Sequence, residues 1–295
     1  MKIGILIFSE PSMEQYTAVD RLIEAGESLG HEVVRLYEPR FSFSCSDNEI
    51  EIKHEGQPLP ELDVIIPRPN FIEEPSLRNY TIQLLVDAGY KVLNNKPTVG
   101  WTKNKLSQHV LFYQNNLPCP RWAIARSPEQ VSQLANNFGY PVILKVAFGT
   151  HGKGVFYAEN KETLSPIAEY LVIRDCNPLI VEEFVKEAER KDLRIFVLGG
   201  KVIAAMERTA PEGDVRANTS TGGTGTVVEL SEDEIALAER AADVFELDIA
   251  GVDLIRSDRG SLVLEVNSNP GFKELECVTR VDVAQNIINF AISKI

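Results

Sequence analysis

Residues 251–272, GVDLIRSDRGSLVLEVNSNPGF, read as one β-hairpin that gathers oxygen ligands on a single face. Apolar and polar side chains alternate over 251–256 and again over 261–267, which predicts two strands; Ser257-Asp258-Arg259-Gly260 between them predicts the turn. Period 2 puts Leu262, Leu264 and Val266 on one face of the second strand and Val263, Glu265 and Asn267 on the other. A turn about Asp258 and Arg259 then sets Asp253 almost opposite Glu265, so two carboxylates and an amide oxygen converge. Carboxylates that close raise one another's pKa unless a cation lies between them. Oxygen ligands without His or Cys suit Mg²⁺, whose shell substrate phosphates commonly complete. The plainer alternative is a solvated surface hairpin. Against it stands Asn269-Pro270-Gly271, a turn that stops the strand just past Asn267.

The rest of the chain bounds what such a site serves. With 295 residues, 44% hydrophobic and 25% charged, the composition is that of a soluble protein long enough for two or three subdomains. No apolar run approaches a membrane span, and MKIGILIFSE reads as a strand rather than a signal peptide. Cys45, Cys119, Cys176 and Cys277 are scattered, with neither zinc nor disulfide spacing, so a reducing cytoplasm is the expected location. A formal net charge of −13 argues against a nucleic-acid surface, since Lys and Arg supply most of that affinity. An anionic substrate must therefore find a local basic pocket.

Strands near 3–8, 31–37, 63–68 and 90–93 alternate with helices near 13–29 and 76–88, which implies a parallel sheet covered on both faces. Its first strand ends in Phe8-Ser9-Glu10-Pro11 where a dinucleotide fold would carry its glycines, so this part reads as scaffold. Arg68, at a strand end where α/β crevices open, is a candidate substrate contact. One long helix over 98–116 carries Lys103 and Lys105. A strand over 140–147 contains Lys145, a charge in an apolar setting that is costly unless it meets an anion. The loop after it, Phe148-Gly149-Thr150-His151-Gly152-Lys153-Gly154, leaves backbone N–H groups free to approach a phosphate, although it is no Walker A motif. The strand over 178–185 offers Glu182 or Glu183 to a purine amine and Phe184 to its ring, with a solvated strand edge as the alternative. A hairpin about Gly199-Gly200 leads to a polar loop with Arg208, Arg216 and Asn218, fixed donors of the kind that hold phosphate or carboxylate. Ser231-Glu-Asp-Glu234 is a capping box that opens a helix, and 281–293 forms the last helix.

Taken together, Lys145 with its glycine loop, Val181-Glu-Glu-Phe-Val-Lys-Glu-Ala188, Asp192-Leu-Arg194, Gly213-Asp-Val-Arg-Ala-Asn218, Ala250-Gly-Val-Asp253 and Leu264-Glu-Val-Asn-Ser-Asn-Pro-Gly271 resemble the ATP-grasp superfamily. Within it the chain is most similar to the RimK-type glutamate ligases, from Met1 to the last helix. The resemblance implies an α/β fold with α+β character in the C-terminal part. The division it implies is a Rossmann-like pre-ATP-grasp domain (1–97), a lid subdomain (98–185) and a metal-bearing subdomain (186–295). It implies that Lys105, Lys145, Gly149, Gly152 and Gly154 meet ATP phosphates, that Glu182, Glu183, Phe184 and Val185 border adenine, and that Asp192 holds the ribose. Arg216, Lys145 and Asn218 would serve the transferred phosphate, and Asp253, Glu265 and Asn267 would ligate two Mg²⁺ ions, with Mn²⁺ as a substitute. Arg68, Arg194 and Arg208 are the substrate candidates. The expected reaction joins an amino acid, L-glutamate first, to a carboxylate acceptor such as a ribosomal-protein C-terminus, in a homodimer or homotetramer. Ala217, Thr219-Ser220-Thr221 and Asn269 depart from the family pattern near the acceptor region, which leaves the ATP chemistry intact and keeps a small-metabolite ligase open; a nucleotide-binding regulator is a further alternative, against which the complete set of Asp253, Glu265, Asn267 and Arg216 speaks.

Overall fold

The computed structural model describes residues 1–10, 17–47, 49–69, 76–149, 154–175, 177–214 and 222–295. In its N-terminal part β1 (Lys2–Ile7), α1 (Ala18–Ser28), β2 (Glu32–Tyr37), β3 (Phe41–Ser46), β4 (Glu49–His54), β5 (Gln57–Pro58), β6 (Val64–Arg68) and α2 (Ser76–Asp87) follow one another. The sheet β2-β1-β6 is parallel and its central strand is apolar on both faces, with Ile3, Ile5 and Leu6 fully buried. Thr17 opens α1 through a reciprocal capping box with Asp20. Two features differ from the sequence reading. Residues 41–58 form an antiparallel meander, β3-β4-β5, and of the strand expected over 90–93 a single parallel bridge, Ile65 to Val92, is present.

The helix expected over 98–116 is two helices, α3 (Thr98–Trp101) and α4 (Lys105–Gln114). Asn104 breaks it: its backbone is extended, and its side chain accepts from the N–H groups of Leu106 and Ser107 as an N-cap. The break frees the Lys105 N–H to bond the Ala147 carbonyl at 2.9 Å, so α4 starts against the strand that carries Lys145. Next come β7 (Trp122–Ala125), α5 (Pro128–Phe138), β8 (Val142–Val146), β9 (Val155–Ala158), α6 (Lys161–Asp175) and β10 (Leu179–Glu183). They form an antiparallel sheet of order β7-β10-β8-β9 with a core of its own, including Val131, Leu144, Leu164 and Val181.

The final sheet, β13-β12-β11-β14-β15, is antiparallel. Its elements are β11 (Lys191–Leu198), β12 (Lys201–Thr209), β13 (Thr224–Val227), α7 (Glu232–Val244), β14 (Ile249–Ser257) and β15 (Gly260–Asn267), followed by α8 (Lys273–Thr279) and α9 (Val283–Ser293). Its two faces share cores with the N-terminal part: Val252, Val263 and Phe245 lie in one cluster with Leu6 and Ile65, and Phe196, Phe272 and Ile287 in another with Ile3 and Ile5. The first and last sheets are thus welded through buried apolar contact, and the 122–183 sheet faces the last one across a cleft.

Candidate functional site

The hairpin β14–β15 turns at Asp258 and Arg259, with Ser257 opposite Gly260, and its register sets Asp253 directly opposite Glu265 and Gly251 opposite Asn267. Strict alternation does not hold along β15. The register shifts between Asp253 and Leu254, which pair with Glu265 and Val263, so Leu264 is an extra residue on its strand. Val263 and Val266 therefore both enter the core, while Leu264 and Glu265, adjacent in sequence, both line the cleft. Gly251 is needed for close approach, because a Cβ there would stand 2.6 Å from Pro270 and 3.0 Å from the Arg194 guanidinium.

A cleft opens between the 122–183 sheet and this hairpin, lined by Lys145, Glu182 and Phe184 from one side and by Asp253, Leu264 and Glu265 from the other. On its acidic wall Asp253 is 4% exposed. Arg194 Nη2 donates to Asp253 Oδ2 at 3.1 Å, and Arg208 Nη2 lies 3.1 Å from the same oxygen. Arg208 also grips Asp192 in a fork, Nε to Oδ1 at 2.6 Å and Nη2 to Oδ2 at 2.8 Å. Burial, reinforced by the nearby Asp253 charge, pushes the Asp192 carboxyl up even though Arg208 opposes it. Arg208 resists burial and is held protonated by both acids, whereas burial lowers Arg194. Arg194 Nε reaches within 2.8 Å of Asp253 Oδ1 without the alignment of a hydrogen bond, and that buried oxygen has no donor among the described residues.

The orphaned oxygen bears on whether a cation fits. Among the described residues no group of three His, Cys, Asp or Glu side chains forms a metal site. The donors here are two carboxylates and an amide on one strand pair, hard oxygens of the sort Mg²⁺ takes while phosphates and water complete its shell. An undonated carboxylate oxygen beside Glu265 is what such an ion would satisfy, so the residues fit it.

The opposite wall is cationic. Lys145, 8% exposed, donates to Glu182 at 2.8 Å, and Glu182 Oε2 lies 3.0 Å from His109 Nε2. Burial works to raise the Glu182 carboxyl, but the Lys145 and His109 charges and hydrogen bonds hold it below the usual carboxylate range. The Lys105 ammonium donates to the Gly149 carbonyl at 3.0 Å. Gly154 ends the loop at positive φ, where a Cβ would stand 2.3 Å from Val146. Glu183 is taken up by Arg121 (N to Oε1 2.8 Å, Nε to Oε2 2.6 Å) and by Arg259. Both acids proposed for a purine amine are therefore committed to protein partners, and the Glu183, Phe184 and Val185 segment borders the cleft.

Beyond Glu265 lies a second group of cations. Arg68, 6% exposed, donates to the Pro270 carbonyl at 2.9 Å and stacks over Phe272, and burial lowers it to about 10. Burial likewise lowers Lys103 to about 8, with Arg68 and Lys105 adding to the shift and Glu265 opposing it. Arg216, Asn218, Gly152 and His151 lie outside the described residues. Sequence reasoning passed over His109 and Arg121, and named Lys103 on its helix without giving it a role. His109 could have been found as the residue four after Lys105, on the same helix face.

With the geometry in hand, comparison with known proteins is direct. The ATP-grasp ligase PsnB, solved complexed with minimal precursor, has the same fold: TM-score 0.76 at 20% identity, covering 99% of each chain. Residues 102–291 match the RimK-like ATP-grasp domain and residues 1–85 the RimK pre-ATP-grasp domain. A probable alpha-L-glutamate ligase of Marinomonas sp. is 36% identical over 273 residues, 91% of this chain and 89% of the relative. Another, of Shewanella halifaxensis, is 38% identical over 98% of this chain, which spans 62% of that longer relative. The chain belongs to the RimK-like ATP-grasp family. It is accordingly an ADP-forming ligase of a family that uses ATP and Mg²⁺. Among the described residues no helix is long and apolar enough to cross a membrane.

Proposed function

We propose that this ligase adds L-glutamate to the C-terminal carboxylate of a peptide or protein, through an acylphosphate formed from ATP. The observation that carries the reading is the pairing of Asp253 with Glu265 across a cleft from Lys145 and Lys105, an acidic wall facing a cationic one. The glutamate ligases among the relatives support the amino acid, and the peptide-bound neighbours support a peptide acceptor. A ribosomal-protein C-terminus, a dimeric or tetrameric assembly and a cytoplasmic location complete the proposal.

In the reaction the acceptor carboxylate attacks the γ-phosphate and ADP leaves. The glutamate amine then attacks the acyl carbon, and phosphate leaves with the C–O bond that breaks. Mg²⁺, held by Asp253, Glu265 and Asn267 as two ions or replaced by Mn²⁺, would neutralise phosphate charge. The protein's own part is positioning and electrostatics. Lys145 and Lys105 face the phosphates, Arg216 and Asn218 serve the transferred group, and Asp192 with Arg194 and Arg208 fixes the acidic wall. Arg68 and Lys103 lie on the Asn269-Pro270-Gly271 side, where they suit a carboxylate.

ADP release measured over a panel of amino acids and peptide or small-molecule acceptors, with products weighed by mass spectrometry, tests this. Glutamate-dependent turnover with peptide products is expected. Turnover with lysine and none with glutamate would overturn the substrate, and no amino-acid-dependent turnover would favour a binding protein.

A further inference from the structure

His109 sits at the back of the cationic wall, 2% exposed, with an acceptor at each ring nitrogen. Nδ1 lies 2.7 Å from the Lys105 carbonyl, which can only accept, and Nε2 lies 3.0 Å from Glu182 Oε2. Both Glu182 oxygens already face the Lys145 ammonium, Oε1 at 2.7 Å and Oε2 at 2.8 Å, so the carboxyl has no need of a proton of its own. A neutral imidazole has one N–H, and with Nδ1 donating it would turn a lone pair on Nε2 towards a carboxylate. Two acceptor-only partners call for two donors.

We infer that His109 is a buried imidazolium and a positioning residue, whose charge offsets Glu182 so that Lys145 keeps its positive charge for an anionic ligand. The charges add simply: Lys145 and Glu182 alone sum to zero, and with His109 protonated the trio sums to +1. The carboxylate holds the lysine in place without cancelling it. The groups that face the ring are consistent with this. Glu182 on β10 gives both carboxylate oxygens to the Lys145 ammonium on β8, Trp122 on β7 meets the ring edge-on at 5.1 Å between centroids, and Phe112 packs along its own helix. The Lys105 ammonium on that helix is turned to Gly149, and nearby Cys119 is pushed up to about 11 by burial and stays a neutral thiol. The role rests on the nucleotide reading above; the protonation state does not.

Two measurements test it. Long-range ¹⁵N imidazole spectra of the whole protein, with His109 assigned against His109→Gln, should show protons on both ring nitrogens near pH 7; a single-proton tautomer overturns the inference. ATP·Mg affinity by calorimetry should fall about tenfold in His109→Leu and return to within about threefold of wild type in His109→Leu/Glu182→Gln, where Lys145 again stands unopposed. A double variant as weak as the single one would reduce His109 to packing and overturn the role. If the wild-type chain binds no ATP at all, the nucleotide reading falls with the charge-balance role, while the spectra still decide the protonation state without nucleotide.

Discussion

The two walls of the cleft bury charge in opposite proportions. On one, a single acid, Glu182, lies between Lys145 and His109; on the other, Asp192 and Asp253 share Arg208, with Arg194 on Asp253 and Glu265 beside it. The first wall carries an excess of positive charge, the second an excess of negative charge. The difference shows how a chain of net charge −13 can receive a polyanion. Net charge sets the far field, but the local sign is set by which strand pairs with which.

The largest expected effect comes from breaking the acidic wall. Asp253→Asn should lower kcat/KM for ADP formation about 10³-fold and abolish its dependence on Mg²⁺ concentration; a loss below about tenfold would place the metal ligands elsewhere. Breaking the cationic wall should show instead in binding, because its charge is already present in the ground state. Lys145→Met is expected to raise the ATP Kd about 10²-fold, read by calorimetry. Arg208→Lys keeps the charge and loses the fork on Asp192; urea unfolding should show a loss of about 2 kcal/mol, and no loss would mean that the fork contributes nothing to the fold.

The smallest effect sharpens the comparison from outside the cleft. Burial works to raise Glu234 on α7, but Arg256, at 2.7 and 3.0 Å, together with Ser231 and Ser261 holds it down to about 2. A depressed carboxyl stabilises the fold above its unfolded value near 4.5, and that stability is lost as pH falls through about 2. Acid titration of Glu234→Gln should remove this component, on the order of 1 kcal/mol after solvent screening, with turnover unchanged.

What could be read from the sequence was what short-range rules decide. Ser257 to Gly260 specify a tight turn whose register alone would set Asp253 opposite Leu264, one residue short of Glu265; the extra residue at Leu264, which no local rule announces, completes the pairing. Ser231 and Glu234, three apart, announce the start of α7. The meander over 41–58 was legible in the same way, since Phe41-Ser42-Phe43-Ser44 and Glu49-Ile50-Glu51-Ile52 alternate, yet it went unassigned. Other features were beyond local rules. Asn104 sits in a run of helical periodicity, and its capping hydrogen bonds prevail only because Lys105 gains the Ala147 carbonyl from a distant strand. His109 and Glu182 are 73 residues apart, and each alone reads as an ordinary polar residue.

The extra residue at Leu264 gives the hairpin a property that regular pleating forbids. A pleated strand shows a ligand every second side chain, so an apolar contact and an acidic one on the same face stand about 7 Å apart. Here consecutive residues, one greasy and one charged, line the same cleft within a single step of chain. A ligand with a flat apolar head close to an anionic tail matches that spacing. A library that varies the length of this strand at 263–265 would therefore alter which ligand shapes fit, where one that varies only its side chains would alter how tightly they are held.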